Sequence, residues 1–295
     1  MRAIVIINPM SGPRPSAASS VARARLAECV LRARGVEPDV HVTEYAGHAC
    51  VIAARAADAG PDVVIAWGGD GTVREVAEGL VGRNVAFAIV PAGSGNGLAR
   101  EIGVPRDPER ALVRAVEAPS RVIDAGRIGG RVFVNVAGLG VDARVAARFN
   151  AQRARGRGLI TYALATLAEL RRNDPVRGTL RADGAEPLAL DAAVVAIANS
   201  GQYGNGARIA PGAALDDGRL DVVVVGAAGL ASTLWRARRL YTGSVLRDPT
   251  VVHRRIARAT IACAGPILFH VDGDAVQGGS VLEVEVLAGA LRIKA

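Results

Sequence analysis

The residues best suited to chemistry form a short glycine-rich stretch, Gly68-Gly69-Asp70-Gly71-Thr72, directly after an apolar run. A strand that ends in glycines and leads into a helix presents backbone N–H groups and the positive end of the helix dipole, where phosphate oxygens bind. Asp70 would repel phosphate directly, but Mg²⁺ binds through one or two carboxylates together with substrate phosphates. The stretch therefore predicts a phosphate site with Mg²⁺. The alternative is a tight turn in which Asp70 or Thr72 caps the helix.

A second glycine-rich stretch repeats this design one strand later. Residues 90–100, VPAGSGNGLAR, alternate glycines with the small hydrogen-bonding side chains of Ser94 and Asn96. A third stretch, NPMSG at 8–12, follows the first apolar run. Because loops on neighbouring strand ends can enclose one polyphosphate, the three stretches together predict a nucleotide site.

Two carboxylates lie close together late in the chain, in the stretch VDGD at 271–274. A positioned carboxylate can accept the proton of a hydroxyl that attacks a γ-phosphorus. Asp272 and Asp274 would face the same side of an extended strand, whereas a turn at Gly273 would separate them. Both are candidate bases; the alternative is an ordinary hairpin turn, because Asp-Gly is a favoured turn sequence.

The first third of the chain alternates strand and helix patterns, which positions these stretches. The predicted strands are 3–7, 37–43, 62–67 and 85–90, and the predicted helices are 17–34, 47–59, 73–82 and one from about 98. This order predicts an α/β fold with a doubly wound parallel sheet. Ligands bind such sheets beyond the carboxyl ends of the strands, where both glycine-rich loops lie.

A β-rich second domain, sandwich-like or an open barrel, is expected after about residue 121, where strand-like runs recur. Two helical candidates remain there, at 159–172 and 229–243. We place the nucleotide domain at 1–124 and the second domain at 125–285. Residues from about 286 to 295 are candidates for a return to the first domain.

The charge pattern excludes several functions. The net charge is +8, yet Lys294 is the only lysine, so no residue is present for a P-loop lysine, a protein-kinase strand lysine or a Schiff base. Aromatic residues are 3% of the chain without basic residues interleaved, which argues against nucleic-acid binding. The excess of arginine favours an anionic partner such as a nucleotide or a membrane surface.

We expect neither a membrane span nor a signal peptide from the sequence. No apolar run approaches the ~20 residues that cross a bilayer, and the apolar run at 3–7 is too short for a signal peptide. The three scattered cysteines are typical of a cytoplasmic protein. We therefore expect a cytoplasmic protein.

Six ordered motifs resemble the diacylglycerol kinase catalytic-domain family, which includes bacterial diacylglycerol kinases, sphingosine kinases and ceramide kinases. They span nearly the whole chain: Asn8-Pro9 with Gly12, Gly68–Thr72 with Glu75, Pro91–Arg100, and residues 135–143, 199–225 and 271–274. The resemblance implies ATP-dependent phosphorylation of a lipid hydroxyl, in a cleft between a nucleotide domain and a β-sandwich domain. The implied cofactors are ATP and Mg²⁺.

The resemblance also implies roles by position. The implied ATP-contacting residues are Asn8, Thr43, Gly68, Gly69, Asp70, Gly71, Thr72, Glu75, Gly93, Ser94, Gly95 and Asn96. Asp70 resembles the residue that organises the catalytic Mg²⁺. A structural magnesium site is implied at the Asp217 carboxylate and the backbone carbonyls of Ala214 and Arg219, where the alternative is a plain Asp-Gly turn.

Two departures from the family pattern leave the lipid acceptor open. Asp274 replaces the usual glutamate of the late motif and is shorter by one methylene, so either Asp272 or Asp274 could be the base. Residues 93–97 read Gly-Ser-Gly-Asn-Gly where bacterial diacylglycerol kinases usually read Gly-Thr-x-Asn-Asp. This order is more similar to the sphingosine and ceramide kinases.

Arginine clusters at 144–172 and 236–258 would suit docking on an anionic membrane, although solvated arginine faces are an equal alternative. We expect a lipid substrate at the membrane surface and peripheral association with the inner face of the cell membrane; a homodimer is left open. Two other functions remain: a homologue that binds lipid or nucleotide without catalysis, which Asp274 keeps open, and, less favoured, an NAD-kinase-like enzyme.

Overall fold

The chain divides into two compact units in a computed structural model. One unit contains Met1–Ile123 and Gly289–Ala295, and the other contains Asp124–Ala288. The structure describes residues 1–12, 16–151, 168–169, 172, 174–204, 206–228 and 238–295. We call the two units the first unit and the second unit.

Strands and helices alternate in the first unit, and strands predominate in the second. The strands are β1 Arg2–Ile7, β2 Glu37–Val42, β3 Val63–Gly68, β4 Ala86–Pro91, β5 Ser120–Ile128, β6 Arg131–Phe133, β7 Val136–Gly140, β8 Val176–Ala182, β9 Leu188–Ala198, β10 Gln202–Gly204, β11 Ala207–Arg208, β12 Leu220–Gly226, β13 Val251–Ile256, β14 Arg258–Cys263, β15 Leu268–Val271, β16 Asp274–Gln277 and β17 Val281–Lys294. The α-helices are α1 Ala17–Arg32, α2 His48–Asp58, α3 Asp70–Leu80, α4 Gly97–Glu101, α5 Pro108–Glu117 and α6 Val141–Ala151.

The first unit is built on a parallel sheet of order β2-β1-β3-β4, completed by residues 292–293 of β17 beside β4. β3 and β4 are buried along their whole length, as expected for strands that helices cover on both faces. This confirms the predicted α/β class with a parallel sheet. The carboxyl ends of β1, β3 and β4 lie at one edge, each followed by one of the three glycine-containing stretches.

The core of the first unit has two sides. One face of the sheet packs on α1 and α5 through a cluster that includes Val5, Trp67 and Leu112. Helices α2 and α3 contact each other and the same strands, and none of their residues belongs to that cluster. They therefore cover the opposite face, because alternate strand residues point to opposite sides.

The second unit is β-rich and its strand pairs are antiparallel, which confirms that part of the predicted fold class. Its sheet follows the order β16-β15-β7-β9-β8-β14-β17, with β12 paired to both β9 and β13. Strands β7, β9, β12, β14 and β15 supply most of one large apolar cluster. The hairpin β15–β16 at one end of this order contains the VDGD stretch.

One helix of the second unit was missed by the sequence analysis. Helix α6 begins at Val141, directly after β7, and the backbone turns between them at Gly140, which has φ +103°. The two predicted helices at 159–172 and 229–243 lie mostly outside the described residues, as does a large part of the first arginine cluster, 144–172.

Candidate functional site

Asp70 joins the two glycine-rich loops of the first unit. It is the first residue of α3, and Gly69 is the N-cap, so neither Asp70 nor Thr72 has the capping position that the alternative assigned to them. The Asp70 carboxylate instead accepts the N–H of Asn96 at 2.9 Å and the N–H of Gly97 at 2.7 Å. One side chain therefore fixes the loop after β4 against the start of α3.

Three glycines of these loops are required by protein atoms, not only by a ligand. A Cβ built on Gly93 would lie 2.7 Å from the Cα of Gly69, and one on Gly95 would lie 2.6 Å from Oδ2 of Asp70. A Cβ on Gly68 would lie 2.4 Å from the side chain of Thr72. Real Cβ atoms do not approach other heavy atoms this closely, so the two loops can touch only because these residues lack one.

Burial raises the pKa of the Asp70 carboxyl, because the charged form loses hydration. The N–H groups of Gly97 and Asn96 and the charge of Arg100 act in the opposite direction. Arg100 is itself fixed in this loop by a hydrogen bond from its Nε to the carbonyl of Gly95 at 2.7 Å. The carboxylate is thus a half-buried acceptor to which a further cation would be favourable.

The stretch after β1 is connected to the same cluster. Asn8 donates from Nδ2 to Oγ1 of Thr72 at 2.8 Å. The guanidinium of Arg23 on α1 donates to the carbonyls of Asn8 and Ser11, at 3.1 and 2.6 Å. The structure therefore brings together the predicted residues at the ends of β1, β3 and β4, and it adds Arg23, which the sequence analysis did not single out.

Two predicted nucleotide residues have other contacts. Both oxygens of Glu75 accept N–H groups at the start of α2, from Gly47 at 2.9 Å and Ala49 at 3.2 Å. Glu75 therefore caps α2. Thr43 follows β2, is buried, and donates its N–H to the carbonyl of Ile7 at 2.9 Å.

The VDGD stretch forms a tight hairpin in the second unit, as the turn alternative held. Val271 pairs with Asp274, so the turn contains only Asp272 and Gly273, and both have positive φ, +48° and +86°. These values are typical of a type I′ turn. The turn separates the two carboxylates, since Asp272 lies in the turn and Asp274 begins β16.

Asp272 is an anchor for this turn. Its carboxylate accepts three consecutive backbone N–H groups, those of Val134, Asn135 and Val136, at 2.8 to 2.9 Å. Its own N–H donates to the carbonyl of Val136 at 2.9 Å. Asp272 thus ties the hairpin to the segment between β6 and β7.

Comparison with known proteins assigns the chain to a family. Residues 2–128 match the family model for the diacylglycerol kinase catalytic domain, and residues 135–295 match that for the YegS C-terminal NAD kinase beta sandwich-like domain. The chain is 33% identical over 269 residues to a Pseudomonas fluorescens protein named Probable lipid kinase YegS-like, covering 89% of this chain and 87% of that protein. The chain belongs to the diacylglycerol kinase family of lipid kinases.

Two further similarities agree with this membership. A diacylglycerol kinase of Mycobacterium tuberculosis is 33% identical over 275 residues, covering 91% of this lipid kinase and 87% of the relative. The crystal structure of a diacylglycerol kinase from Bacillus anthracis superposes with a TM-score of 0.73 at 20% identity, covering 99% of this chain and 96% of that one. The latter similarity shows the shared fold.

The residues predicted to hold a structural magnesium ion have a cation partner of another kind in this lipid kinase. The Asp217 carboxylate accepts the N–H of Arg219 at 3.0 Å and pairs with the guanidinium of Arg255. Among the described residues, no group of three or more His, Cys, Asp or Glu side chains could by itself hold a metal ion. A metal here would need backbone carbonyls, as the family resemblance implies.

Asp124 is a residue of the same region that sequence analysis missed. It is 3% exposed; its Oδ2 accepts the N–H of Gly218 at 2.7 Å, and its carbonyl accepts Nδ2 of Asn199 at 3.0 Å. Asp124 therefore holds the segment that contains Asp217. Its signal in the sequence was a single carboxylate inside the apolar run of β5.

Over the residues that the structure describes, no helix is both long and apolar enough to cross a membrane.

Proposed function

We propose that this lipid kinase transfers the γ-phosphate of ATP to the hydroxyl of a lipid such as a diacylglycerol or a sphingoid base. The observation that carries the proposal is the contact between the two glycine-rich loops, with Asp70 bonded to the N–H groups of Asn96 and Gly97. The contact gives one rigid edge that combines a helix N-terminus, glycine backbone and a half-buried carboxylate.

Backbone N–H groups suit the nucleotide phosphates at this edge. The N–H groups of the first turn of α3 have no intrahelical acceptor, and the helix dipole adds positive potential there. In the loop after β4, the N–H groups of Ser94 and Gly95 have no hydrogen-bond partner among the described residues. They are free to donate to phosphate oxygens, which explains how a chain without a P-loop lysine can bind ATP.

The carboxylate of Asp70 is the side chain that would hold a Mg²⁺ ion at this edge. Asn96 and Gly97 each give it a single N–H donor, so its oxygens keep further lone pairs, and burial raises its pKa in the absence of a cation. The described residues offer no complete side-chain metal site, which agrees with an ion that takes phosphate oxygens as ligands. Mg²⁺ would supply charge neutralisation at the transferred phosphoryl group.

We assign the general base to Asp274. Taking a proton would weaken the hydrogen bonds that the Asp272 carboxylate accepts from three backbone N–H groups, and these bonds hold the hairpin. Asp274 begins β16 and is half-buried, next to the turn. In this assignment Asp272 positions the turn and Asp274 accepts the proton of the lipid hydroxyl.

We also propose that the enzyme meets its lipid at the inner face of the cell membrane as a peripheral protein. In the described part of the second unit, Arg144, Arg148 and Arg172 all surround Glu169, at 3.3, 3.4 and 3.6 Å. Arg144 also pairs with Asp174 at 3.9 Å, so three guanidinium groups face two carboxylates and this surface keeps net positive charge. Anionic lipid headgroups would complement it.

Phosphate transfer from ATP labelled at the γ position tests the proposal, with a panel of lipid acceptors in mixed micelles. The wild type should label at least one acceptor, and Asp274→Asn should lower turnover by about 10²- to 10⁴-fold. Asp191→Asn is a matched control, because Asp191 is an exposed carboxylate of the second unit whose side chain pairs with Arg177. Full turnover by Asp274→Asn would exclude Asp274 as the base.

A homologue that binds without catalysis is the second candidate, because Asp274 is one methylene shorter than the usual glutamate. Under that alternative the wild type binds ATP but labels none of the lipids, and Asp274→Glu gains activity. Labelling by the wild type removes this alternative.

A further inference from the structure

The hairpin that contains Asp274 has a second anchor, made of buried side chains that the proposed mechanism does not use. His270 on β15 accepts the N–H of Gly273 at its Nδ1, at 3.3 Å. The other ring nitrogen, Nε2, lies 3.1 Å from Oδ2 of Asp142 at the start of α6. The side chains of His270 and Asp142 are only 8% and 6% exposed.

These contacts indicate which nitrogen of the ring carries the proton. A backbone N–H can only donate, so Nδ1 of His270 is an acceptor and the proton lies on Nε2, which donates to Asp142. Asp142 is itself held by two other donors, the hydroxyl of Tyr203 at 2.5 Å and the N–H of Ala143 at 2.8 Å. The hydrogen bonds therefore converge on Asp142: the N–H of Gly273 donates to His270, His270 donates to Asp142, and the hydroxyl of Tyr203 donates to the same carboxylate.

The backbone around this chain is shaped to admit it. Gly138 on β7 lies directly opposite His270 in the strand register. A Cβ on Gly138 would lie 2.2 Å from Oδ2 of Asp142 and 3.1 Å from Nε2 of His270. The absence of a side chain at Gly138 therefore provides the space that the pair occupies.

The next peptide of the turn, between Gly273 and Asp274, has a contact of its own. Nδ2 of Asn150, near the end of α6, donates to the carbonyl of Gly273 at 3.4 Å. Together with the three bonds to Asp272, these contacts fix both residues of the turn, and Asp274 follows directly. A displacement of about 1 Å in a reacting group can lower a rate about 10²-fold, so such fixation has a catalytic consequence.

We propose that His270, which Asp142 holds in the buried pair, is a positioning residue that sets the direction of the Asp274 carboxylate through the N–H of Gly273. The inference rests on the proposed function, since it assigns the base to Asp274. Tyr203 has a lesser part in it, because Asp142 keeps two other donors when the hydroxyl is removed.

Two substitutions of His270 separate its two hydrogen bonds. The side-chain oxygen of His270→Asn can take the place of Nδ1 and accept from Gly273, whereas the amide of His270→Gln can take the place of Nε2 and donate to Asp142. We expect His270→Gln to lower kcat by about 10- to 100-fold with KM for ATP unchanged, and His270→Asn to retain most of the activity. If the pair with Asp142 mattered only for structure, His270→Gln should instead keep a higher kcat than His270→Asn.

A matched control lies in the same unit. His253 on β13 pairs with Asp221 at 2.5 Å, and among the described residues it has no hydrogen bond to the hairpin. His253→Gln is therefore the same change in another His–Asp pair, and we expect kcat within about twofold of the wild type. An equal loss in both variants would overturn the proposal, because it would show a general loss of folding.

Hydrogen exchange at Gly273 gives a readout that does not depend on activity. His270→Gln should speed exchange at Gly273 while the N–H groups bonded to Asp272 stay protected. If the wild type labels no lipid, the proposed function fails, and this measurement still decides whether His270 holds the turn. If the wild type is active and His270→Gln changes neither kcat nor exchange, only the positioning role is overturned.

Discussion

The two aspartate–glycine motifs of this lipid kinase look alike in sequence, but their glycines meet different physical requirements. In the first unit, a Cβ on Gly93 or Gly69 would press on the backbone of the other, at 2.7 and 3.2 Å. In the second unit, a Cβ on Gly273 would meet nothing within 4 Å, but φ at this residue is +86°. The first motif needs glycine for close contact, and the second needs it for backbone conformation.

The carboxylates of the two motifs also differ. Asp70 connects two loops that are more than twenty residues apart in sequence, so it determines how the phosphate-binding edge is assembled. Asp272 connects one turn to the segment before β7, and in our proposal Asp274 accepts the proton. The comparison indicates that a short motif identifies a site, while the contacts of each residue decide its role.

The largest effect is expected at Asp70. The amide of Asp70→Asn supplies one acceptor oxygen, but its NH₂ group faces the second backbone N–H and cannot accept from it. We therefore expect the loop after β4 to lose its attachment to α3 and the free energy of unfolding to fall by about 1.5–3 kcal/mol. Affinity for ATP with Mg²⁺ should fall at least about tenfold, measured by calorimetric titration. The control is Asp62→Asn, because Asp62 accepts the N–H of Arg2 at the opposite edge of the same sheet. Unchanged nucleotide affinity in Asp70→Asn would contradict the assignment of the phosphate site.

A somewhat smaller effect is expected at Gly93. The methyl group of Gly93→Ala would overlap the Cα of Gly69 and Oδ1 of Asn96, so the loops must separate, and overpacking of this kind costs about 1–3 kcal/mol. Urea unfolding followed by circular dichroism measures the loss. Gly265→Ala is the control, because a Cβ there meets nothing within 4 Å. Equal stabilities of the two variants would show that the loops do not touch in this way.

Gly273→Ala should lower the free energy of unfolding by about 1–2 kcal/mol, because an ordinary residue pays this cost in a left-handed backbone conformation. Gly273→Asn should recover part of it, since asparagine tolerates this conformation. The same pair of changes at Gly93 should show no such recovery, because there the obstacle is contact. Urea unfolding of all four variants in parallel tests this difference between the two glycines. If asparagine restored stability at Gly93 as well as at Gly273, the two glycines would not differ in this way.

The smallest effect is expected at the ion pair between Asp217 and Arg255. An exposed pair contributes about 0–1 kcal/mol, so Arg255→Gln should change stability little. Removing the guanidinium frees the Asp217 carboxylate for a metal ion, and millimolar Mg²⁺ should then raise the unfolding temperature of Arg255→Gln more than that of the wild type. Identical responses to Mg²⁺ and to a chelator would argue against the implied structural magnesium site.

Much of the first unit could be predicted from the sequence because its signals are local. The apolar runs at 3–7, 62–67 and 85–90 match β1, β3 and β4 within one residue at each end. Helix α3 begins at Asp70, three residues before the predicted start at residue 73, because the end of the glycine-rich stretch forms its first turn. The low helix propensity of glycine argues against a helix at these positions, and the contacts with the neighbouring loop override that propensity.

Long-range contacts could not be predicted from the sequence. The bonds from Asp70 to Asn96 and Gly97, and from Asp272 to residues 134–136, depend on how distant segments meet. Asp124 could be noticed in the sequence as a lone carboxylate within strand β5. Its hydrogen-bond partner, the N–H of Gly218, could not be predicted. Helix α6 was missed because Val141 continues the apolar pattern of β7 past Gly140 without a polar break.

The long strand β17 has a consequence for how the chain folds during synthesis. Its first residues pair with β14 in the second unit, while Arg292 and Ile293 pair with Ala86 and Phe87 in the first. The nucleotide-binding sheet therefore keeps β4 as an open edge until about two hundred further residues have been made. Open edges invite pairing with other chains, so a nascent chain halted before residue 292 should depend on chaperones more than the finished one.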